Sequence, residues 1–450
     1  MVAVSQVAVQ AMRFGSNIVL AALLSPAIFG VLALVTAVRT GVELLTDIGI
    51  NQSIVVSDDG GKRGFVETAW GLQILRGAAL AGIGALISFP IAWLYGKDEL
   101  ALLLLVGSLG SIVSGISRPG PALLQRRRDM SRLVIQRLAV AASSAVISVA
   151  FALVIPTAMS IVVANVVALC AAMAISFLIV PLPGYRPRMI PEYRRKIVSF
   201  GKWIFLSSLI YFFATNFDRL YLPAYIPLAV FGVYGIARSL ADVVVQTVVQ
   251  ISQLVVLPAV ARSKNALHQR RAQIGRMRLF GLAVIDASLG LLIACSDLII
   301  LTVFDPRYAL AAAILPVLLA GSWFAIHASV CEAALLGLGK AQPMAGGNAA
   351  RFLSSVIGLP LALGVGGLMP AIALIAAADL PRYAWLTWQA HRGRVSFTSQ
   401  EPVLLLTMIV SAIAARELLV VAGLVDGFIS SAQQVGFDRL VATRPAPWGA

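Results

Sequence analysis

The sequence predicts an all-helical membrane protein that crosses the bilayer many times. Apolar runs recur along all 450 residues, and each run is about 20 residues long, the length of a helix that spans the bilayer core. Only 12% of the residues are charged and 59% are hydrophobic, whereas a soluble domain carries about 25% charged residues. Despite the net charge of +15, so apolar a chain is not expected to bind nucleic acid.

Twelve apolar runs form two sets of six, with ends that a sequence places only to within a few residues. The first set is 3–24, 28–50, 68–95, 99–117, 133–155 and 159–181. The second set is 198–222, 228–257, 278–303, 310–337, 346–366 and 368–390. We expect an N-lobe at 1–181, a basic linker at 182–197, a C-lobe at 198–390 and a C-terminal segment at 391–450. A thirteenth run in that last segment, 402–424, contains Arg416 and Glu417 and either spans or lies at the interface.

Basic residues are concentrated in every second loop. They include Lys62, Arg63, Arg126, Arg127, Arg188, Arg194, Arg195, Arg270, Arg271, Lys340 and Arg392. Loops rich in Lys and Arg stay on the cytoplasmic side, so we expect a cytoplasmic N-terminus. The other loops are very short, as at Ser25–Ala27 and Ile226–Pro227. They leave no external domain for chemistry, and no cleavable signal peptide is expected.

The chain also contains an internal repeat. LAALLSPAIFGV, Leu20–Val31, aligns with LPAYIPLAVFGV, Leu222–Val233, at a constant offset. Each segment is the turn between the first and second helix of its set. Because six is even, both sets enter from the same side, and the repeat is predicted to be parallel. Two parallel bundles about an axis along the membrane normal are typical of transporters, with substrate between the lobes.

Charged residues inside the apolar runs are the candidate functional residues of the first set. Arg39, Glu43 and Asp47 are spaced i, i+4 and i+8, so they share one helix face. A charge at the centre of a membrane helix costs about 2.5–3.5 kcal/mol, which favours an interior polar surface. Arg13 and Arg76 have no carboxylate one turn away. A cavity with surplus arginine suits a phosphorylated substrate, because guanidinium binds phosphate bidentately.

In the second set, Asp218, Arg238 and Asp242 are the corresponding candidates. Further charged residues within the apolar runs are Arg219, Asp286, Glu332, Asp379 and Arg382. The alternative role for such residues is structural: Arg39–Glu43 and Arg238–Asp242, each at i, i+4, would neutralise each other and hold helices together. The spacing alone leaves both roles open.

Enzyme and cofactor signatures are missing from the sequence. The cysteines, Cys170, Cys295 and Cys331, lie in apolar runs without C-x-x-C spacing, and the three histidines are scattered. Small buried side chains are the expected role of these cysteines. We find no phosphate-binding loop, dinucleotide fingerprint or H-E-x-x-H motif. We therefore expect no metal, no cofactor and no enzyme activity.

Two segments resemble a known family. LLSPAIFGVLAL followed by LLTDIGINQSIV resembles the N-terminal signature of the oligosaccharide flippases, the Wzx-type polysaccharide exporters of the multidrug/oligosaccharidyl-lipid/polysaccharide exporter superfamily. The matches to the family's second-lobe pattern are Ser199, Phe200, Gly201, Asp218, Gly232, Tyr234 and Ala237. Two features depart from the family: the charged leader before the first helix is missing, and the usual Leu-Gly before the second-lobe turn reads Ile226-Pro227.

The resemblance implies a bacterial inner-membrane flippase that moves undecaprenyl-diphosphate-linked oligosaccharides to the periplasmic leaflet by alternating access. Its partners would be the lipid-linked oligosaccharide, membrane lipids, and the polysaccharide polymerase and export machinery. The residues predicted to bind substrate are Arg13, Arg39, Arg76 and Arg238. Those predicted to couple transport to an ion are Glu43, Asp47, Asp218 and Asp242. Two alternatives stay open: an exporter of drugs or lipid-linked peptidoglycan precursor on the same fold, and a membrane glycosyl polymerase or transferase, which would need a reactive cluster near the surface.

Overall fold

A computed structural model describes residues 2–44, 49–127, 129–180, 184–263, 267–340, 342–393 and 398–425. These residues form α-helices and short 3₁₀ turns. The chain divides into two compact units. Unit 1 comprises Met1–Phe212 and Arg219–Gly232, and unit 2 comprises Phe213–Asp218 and Val233–Ala450. The boundaries predicted for the lobes and the linker stay a prediction.

The helices are numbered here along the chain. The first nine are α1 Val2–Leu23, α2 Pro26–Leu44, α3 Ile50–Val56, α4 Arg63–Tyr95, α5 Glu99–Ile116, α6 Gly120–Arg126, α7 Met130–Val154, α8 Ala158–Ile179 and α9 Pro191–Tyr221. The others are α10 Leu228–Ser263, α11 Leu267–Ala294, α12 Ser296–Val303, α13 Leu310–Gly337, α14 Gln342–Gly366, α15 Leu368–Ala377, α16 Asp379–Arg392 and α17 Glu401–Val421.

Ten stretches of the described residues are long and apolar enough to cross a membrane. They include the thirteenth run of the sequence, which is present as Thr398–Val421. The predicted class, an all-helical multi-pass membrane protein, is therefore confirmed. The count of twelve spans and the superposition of two lobes stay predictions.

Several predicted helices have different ends in the structure. The predicted linker is partly helical, because α9 already begins at Pro191. The run 278–303 is divided at Cys295, and the run 368–390 is divided at Ala378. The run 28–50 becomes α2, which ends at Leu44, and a separate short α3 that follows Gly49. At the Ala378 break the apolar character changes, because α15 is strongly apolar whereas α16 contains Asp379, Arg382, His391 and Arg392.

Glycines bring helices close together in unit 1. A side chain at Gly77 of α4 would lie 2.6 Å from the Ser111 carbonyl oxygen of α5, so α4 and α5 are held in backbone contact by small residues. The repeat segments also meet here: a side chain at Gly30 would collide with the Leu228 carbonyl, and one at Gly232 with the Pro26 carbonyl. This contact is reciprocal, as expected where a rotation relates two like segments.

In unit 2, α13 is the central helix. It packs against α11, α12, α15 and α16, and most of its side chains are buried. The C-terminal helix α17 packs lengthwise on α11. A side chain at Gly290 of α11 would collide with Ser411 and with the Met408 carbonyl of α17. The two backbones are therefore in close contact, which makes α17 an integral helix of unit 2.

Candidate functional site

In unit 1, three predicted site residues meet at the end of α2. Arg39 Nε lies 3.4 Å from Glu43 Oε1, and the two side chains are 34% and 42% exposed. Arg76 Nη2, from α4, donates a hydrogen bond of 2.6 Å to the main-chain carbonyl of Glu43. This hydrogen bond ties the side chain of Arg76 on α4 to the main chain of α2.

A cavity of about 130 Å³ opens beside these residues. Its polar lining comes from four helices: Glu43 of α2, Asn51 of α3, Gln73 and Arg76 of α4, and Ser111 and Ser114 of α5. Gln73 Nε2 donates hydrogen bonds of 3.0 Å to the carbonyls of Ser114 and Ser117. A smaller void of about 20 Å³ lies beside Arg39. The site thus combines two guanidinium groups, one carboxylate and neutral hydrogen-bonding groups around empty volume.

The other residues predicted for this site have different outcomes. Arg13 is an exposed residue of α1, and no hydrogen bond or ion pair of the described residues joins it to Arg39, Glu43 or Arg76. Asp47 lies outside the described residues. The structure therefore brings together Arg39, Arg76 and Glu43, and it does not connect Arg13 to them.

In unit 2, the predicted Asp218, Arg238 and Asp242 form one group. Arg238 Nε lies 3.3 Å from Asp242 Oδ1 and 3.9 Å from Asp218 Oδ2. The Tyr234 hydroxyl donates to Asp218. Tyr234, Arg238 and Asp242 are spaced four residues apart and so lie on one face of α10. Both i, i+4 ion pairs predicted from spacing, Arg39–Glu43 and Arg238–Asp242, are present.

The sequence analysis missed part of a buried network further along unit 2. Arg351 Nη1 of α14 donates a hydrogen bond of 2.8 Å to Asp379 Oδ1 of α16. Arg382 Nη1 lies 3.5 Å from the same carboxylate, and its other terminal nitrogen binds Glu332 of α13. Arg351 is not one of the candidates named from the sequence, although it lies within the predicted helix 346–366. That position was the signal for an intramembrane partner, because a buried arginine needs one.

The sequence analysis also missed His327, Arg278 and Glu401. His327 was one of three scattered histidines, and Glu401 stands at the very start of α17. Their partners come from other helices, so no spacing in the sequence connects them. Among the described residues, no cluster of three or more His, Cys, Asp or Glu is arranged to hold a metal ion.

The helices and their apolar spans define an all-helical, multi-pass membrane protein. The model of the polysaccharide biosynthesis protein family matches residues 19–313, more than half of the chain. The chain belongs to that family.

Three comparisons show what the chain is similar to. The teichuronic acid biosynthesis protein TuaB of Bacillus subtilis (strain 168) is 23% identical over 283 residues, which is 61% of this chain and 57% of that relative. The solved structure of the lipid II flippase MurJ in an inward closed conformation has a TM-score of 0.76 at 12% identity and covers 97% of this chain and 96% of its own. An inward-facing multidrug resistance MATE family transporter of the MOP superfamily has a TM-score of 0.68 at 12% identity, covering 89% and 99%.

Proposed function

We propose that this protein is a flippase that carries undecaprenyl-diphosphate-linked oligosaccharide units across the bacterial inner membrane by alternating access. Membership in a family of polysaccharide biosynthesis proteins supports the substrate class. The transporter fold supports transport rather than chemistry on the sugar. The polymerase and export machinery that use the product are the partners that this role requires.

The observation that carries the proposal is the polar cavity at the end of α2. Arg76 and Glu43 line empty volume of about 130 Å³, close in size to a cavity that accepts a benzene ring, and Arg39 lines a separate void of about 20 Å³. The larger volume accommodates a head-group fragment and not a whole lipid. By sequence, Arg13, Arg39 and Arg76 outnumber Glu43 and Asp47 by one. The surplus cation matches a diphosphate, which guanidinium groups bind through charge-assisted hydrogen bonds.

In this proposal, Arg39 and Arg76 hold the diphosphate, with Arg13 joining as the lobes rearrange. Arg238 is assigned to the same substrate. Glu43, Asp218 and Asp242 are assigned to ion coupling, because each of these carboxylates lies near an arginine that an ion could replace, and Asp47 is assigned to the same role from the sequence alone. Arg238 is held by Asp242 and Asp218, so it would act only when that pairing changes.

A lipid-linked peptidoglycan-precursor exporter is the second candidate function. Its substrate carries the same polyprenyl diphosphate, so the cationic cavity suits both, whereas it does not suit a cationic drug. Proteoliposomes that contain the purified protein distinguish the two candidates. We expect translocation of a polyprenyl-diphosphate oligosaccharide, and faster translocation of the peptidoglycan precursor would decide for the second candidate.

Binding of undecaprenyl diphosphate to the purified protein tests the site. Arg76→Ala should weaken binding about 10- to 100-fold, the value of a hydrogen bond between charged groups. Arg76→Lys should recover only part of the affinity, because lysine lacks the planar guanidinium group that binds phosphate through two hydrogen bonds. Arg132→Ala is the matched control, since Arg132 is exposed and pairs locally with Asp129. Undecaprenol, which lacks the diphosphate, should bind all variants alike. Unchanged binding by Arg76→Ala would remove Arg76 from the site.

A further inference from the structure

A histidine sits between two carboxylates in the interior of unit 2. His327 of α13 and Asp286 of α11 are 0% exposed. His327 Nδ1 lies 2.7 Å from Glu401 Oε2, at the start of α17. His327 Nε2 lies 3.2 Å and 3.3 Å from the two carboxylate oxygens of Asp286. One imidazole ring thus connects three helices that are far apart in sequence.

The geometry of this cluster requires a proton. An ionised carboxylate only accepts hydrogen bonds, and a neutral imidazole donates from one nitrogen only. Because both ring nitrogens of His327 face carboxylates, both contacts are satisfied only if His327 is an imidazolium or if one carboxylate is protonated. Either way, the three side chains hold one proton more than neutral His327 with ionised Asp286 and Glu401.

The charge count gives the same result. Arg278 of α11 binds Glu401, and its Nη1 donates a 3.0 Å hydrogen bond to Gln400 Oε1. With the extra proton, Arg278 and His327 balance Asp286 and Glu401. Without it, the cluster keeps one uncompensated negative charge in a site from which water is excluded. Buried charges without a partner are strongly unfavourable.

The remaining neighbours exclude water and supply no competing charge. Trp323 stacks on the imidazole with ring centroids 4.1 Å apart, a favourable position beside a cation. Tyr383 of α16 packs edge-on at 6.4 Å. Cys331 lies one turn further along α13. Glu332 of α13 itself is paired with Arg382, and Asp297 of the neighbouring α12 is paired with Arg416. The sequence of α15 contains no titratable residue.

We propose that His327, Asp286 and Glu401 form a proton-binding site whose occupancy fixes the start of α17 against α11 and α13. Loss of the proton breaks one of the two carboxylate contacts of His327, and Glu401 is the partner that can move, because it belongs to the first turn of α17. The other end of α17 is held by the ion pair of Arg416 and Asp297, which does not involve His327. Raising the pH therefore loosens only the first turns of α17.

Hydrogen exchange of the full chain in nanodiscs tests this inference and requires no substrate. After correction for the intrinsic pH dependence of exchange, protection of the first turns of α17 should fall by about tenfold per pH unit once the proton is lost, as linkage to one proton requires. His327→Gln and Glu401→Gln should each abolish that dependence. His391→Gln is the control, because His391 is exposed at the end of α16, and it should behave as the native chain. Protection that is independent of pH in the native chain would overturn the inference.

A second measurement on the native chain covers the case in which a variant fails to fold. The chain contains three histidines, so ¹⁵N labelling of histidine gives few signals. At pH 8 an exposed histidine is neutral, since its ordinary pKa is about 6.5. We expect one histidine to keep protons on both ring nitrogens, or to show a strong hydrogen bond to a protonated carboxylate. Three ordinary neutral rings at pH 8, with α17 fully protected, would contradict the inference.

Discussion

The polar groups of unit 1 and those of unit 2 are built differently. In unit 1, the Arg39–Glu43 pair is 34% and 42% exposed and borders a void. In unit 2, the side chains of Arg416 and Arg351 are 3% and 9% exposed, and each is bonded to a carboxylate of another helix. Charge beside empty volume is available to a ligand, whereas charge closed into interhelical pairs holds helices together. The comparison indicates that intramembrane charge alone does not mark a binding site.

The largest loss of stability is expected when the buried ion pair of Arg416 and Asp297 is broken. Arg416 Nη1 binds Asp297 at 2.7 Å and also the Ala294 carbonyl at 3.0 Å, so it bridges the break between α11 and α12. Arg416→Leu leaves Asp297 without a partner, and breaking a buried pair costs about 3–5 kcal/mol. We expect loss of monodisperse protein in fluorescence-detected gel filtration. Adding Asp297→Asn should restore much of it. A melting temperature equal to that of the native chain would show that the closed pair has no structural role.

The next largest loss of stability is expected at the close contact between α11 and α17. Gly290→Ala places a methyl group on the Met408 carbonyl and Ser411 of α17, and overpacking costs about 1–3 kcal/mol. Gly281→Ala in the same helix meets nothing within 4 Å. It should be neutral or stabilising by up to about 1 kcal/mol, from helix propensity. Thermal melting of both variants in one detergent measures the difference. Equal melting temperatures would place α17 further from α11 than the structure does.

Substitutions in the Arg39–Glu43 pair of unit 1 should change ligand binding and leave folding nearly unchanged. An exposed ion pair contributes about 0–1 kcal/mol, so Arg39→Ala should barely change the melting temperature. Glu43→Gln removes the carboxylate that competes for Arg39, and it should tighten undecaprenyl diphosphate binding by about two- to fivefold, the equivalent of that small energy. Isothermal titration measures both variants. Weaker binding by Glu43→Gln would mean that the carboxylate positions Arg39 for the ligand.

The smallest effect is expected at a surface pair of unit 1. Hydrogen bonds from Lys196 and then Lys62 lower the pKa of Asp59 to about 2 from its ordinary 3.8. A lowered pKa contributes stability that is present above pH 4 and lost as the pH falls toward 2. Because both lysine partners are largely exposed to solvent, which screens the pairs, Asp59→Asn should lower the melting temperature at pH 7 only slightly. Melting curves between pH 3 and pH 7 should converge for the two proteins only at the acid end. A large difference at pH 7 would contradict this assignment.

Local features of this protein follow from the sequence alone. Run length and low charge predict the helical membrane class, because a bilayer admits few other structures. The pairs Arg39–Glu43 and Arg238–Asp242 follow from the 3.6-residue helical period, which puts residues four apart on one face. The turn at Ser25 is also read directly from neighbouring residues. The repeat is read from the alignment of Leu20–Val31 with Leu222–Val233.

Contacts between helices were decided only by the tertiary structure. His327 meets Asp286 and Glu401 across 41 and 74 residues of chain, and Arg351 meets Asp379 across 28. Helical periodicity says which residues share a face, but it does not say which helix covers that face. The break at Cys295 belongs here too, since the carbonyl of Ala294 at the end of α11 is satisfied by Arg416 from α17. Helix packing, which a one-dimensional pattern does not contain, converts scattered charges into a cavity in unit 1 and a closed network in unit 2.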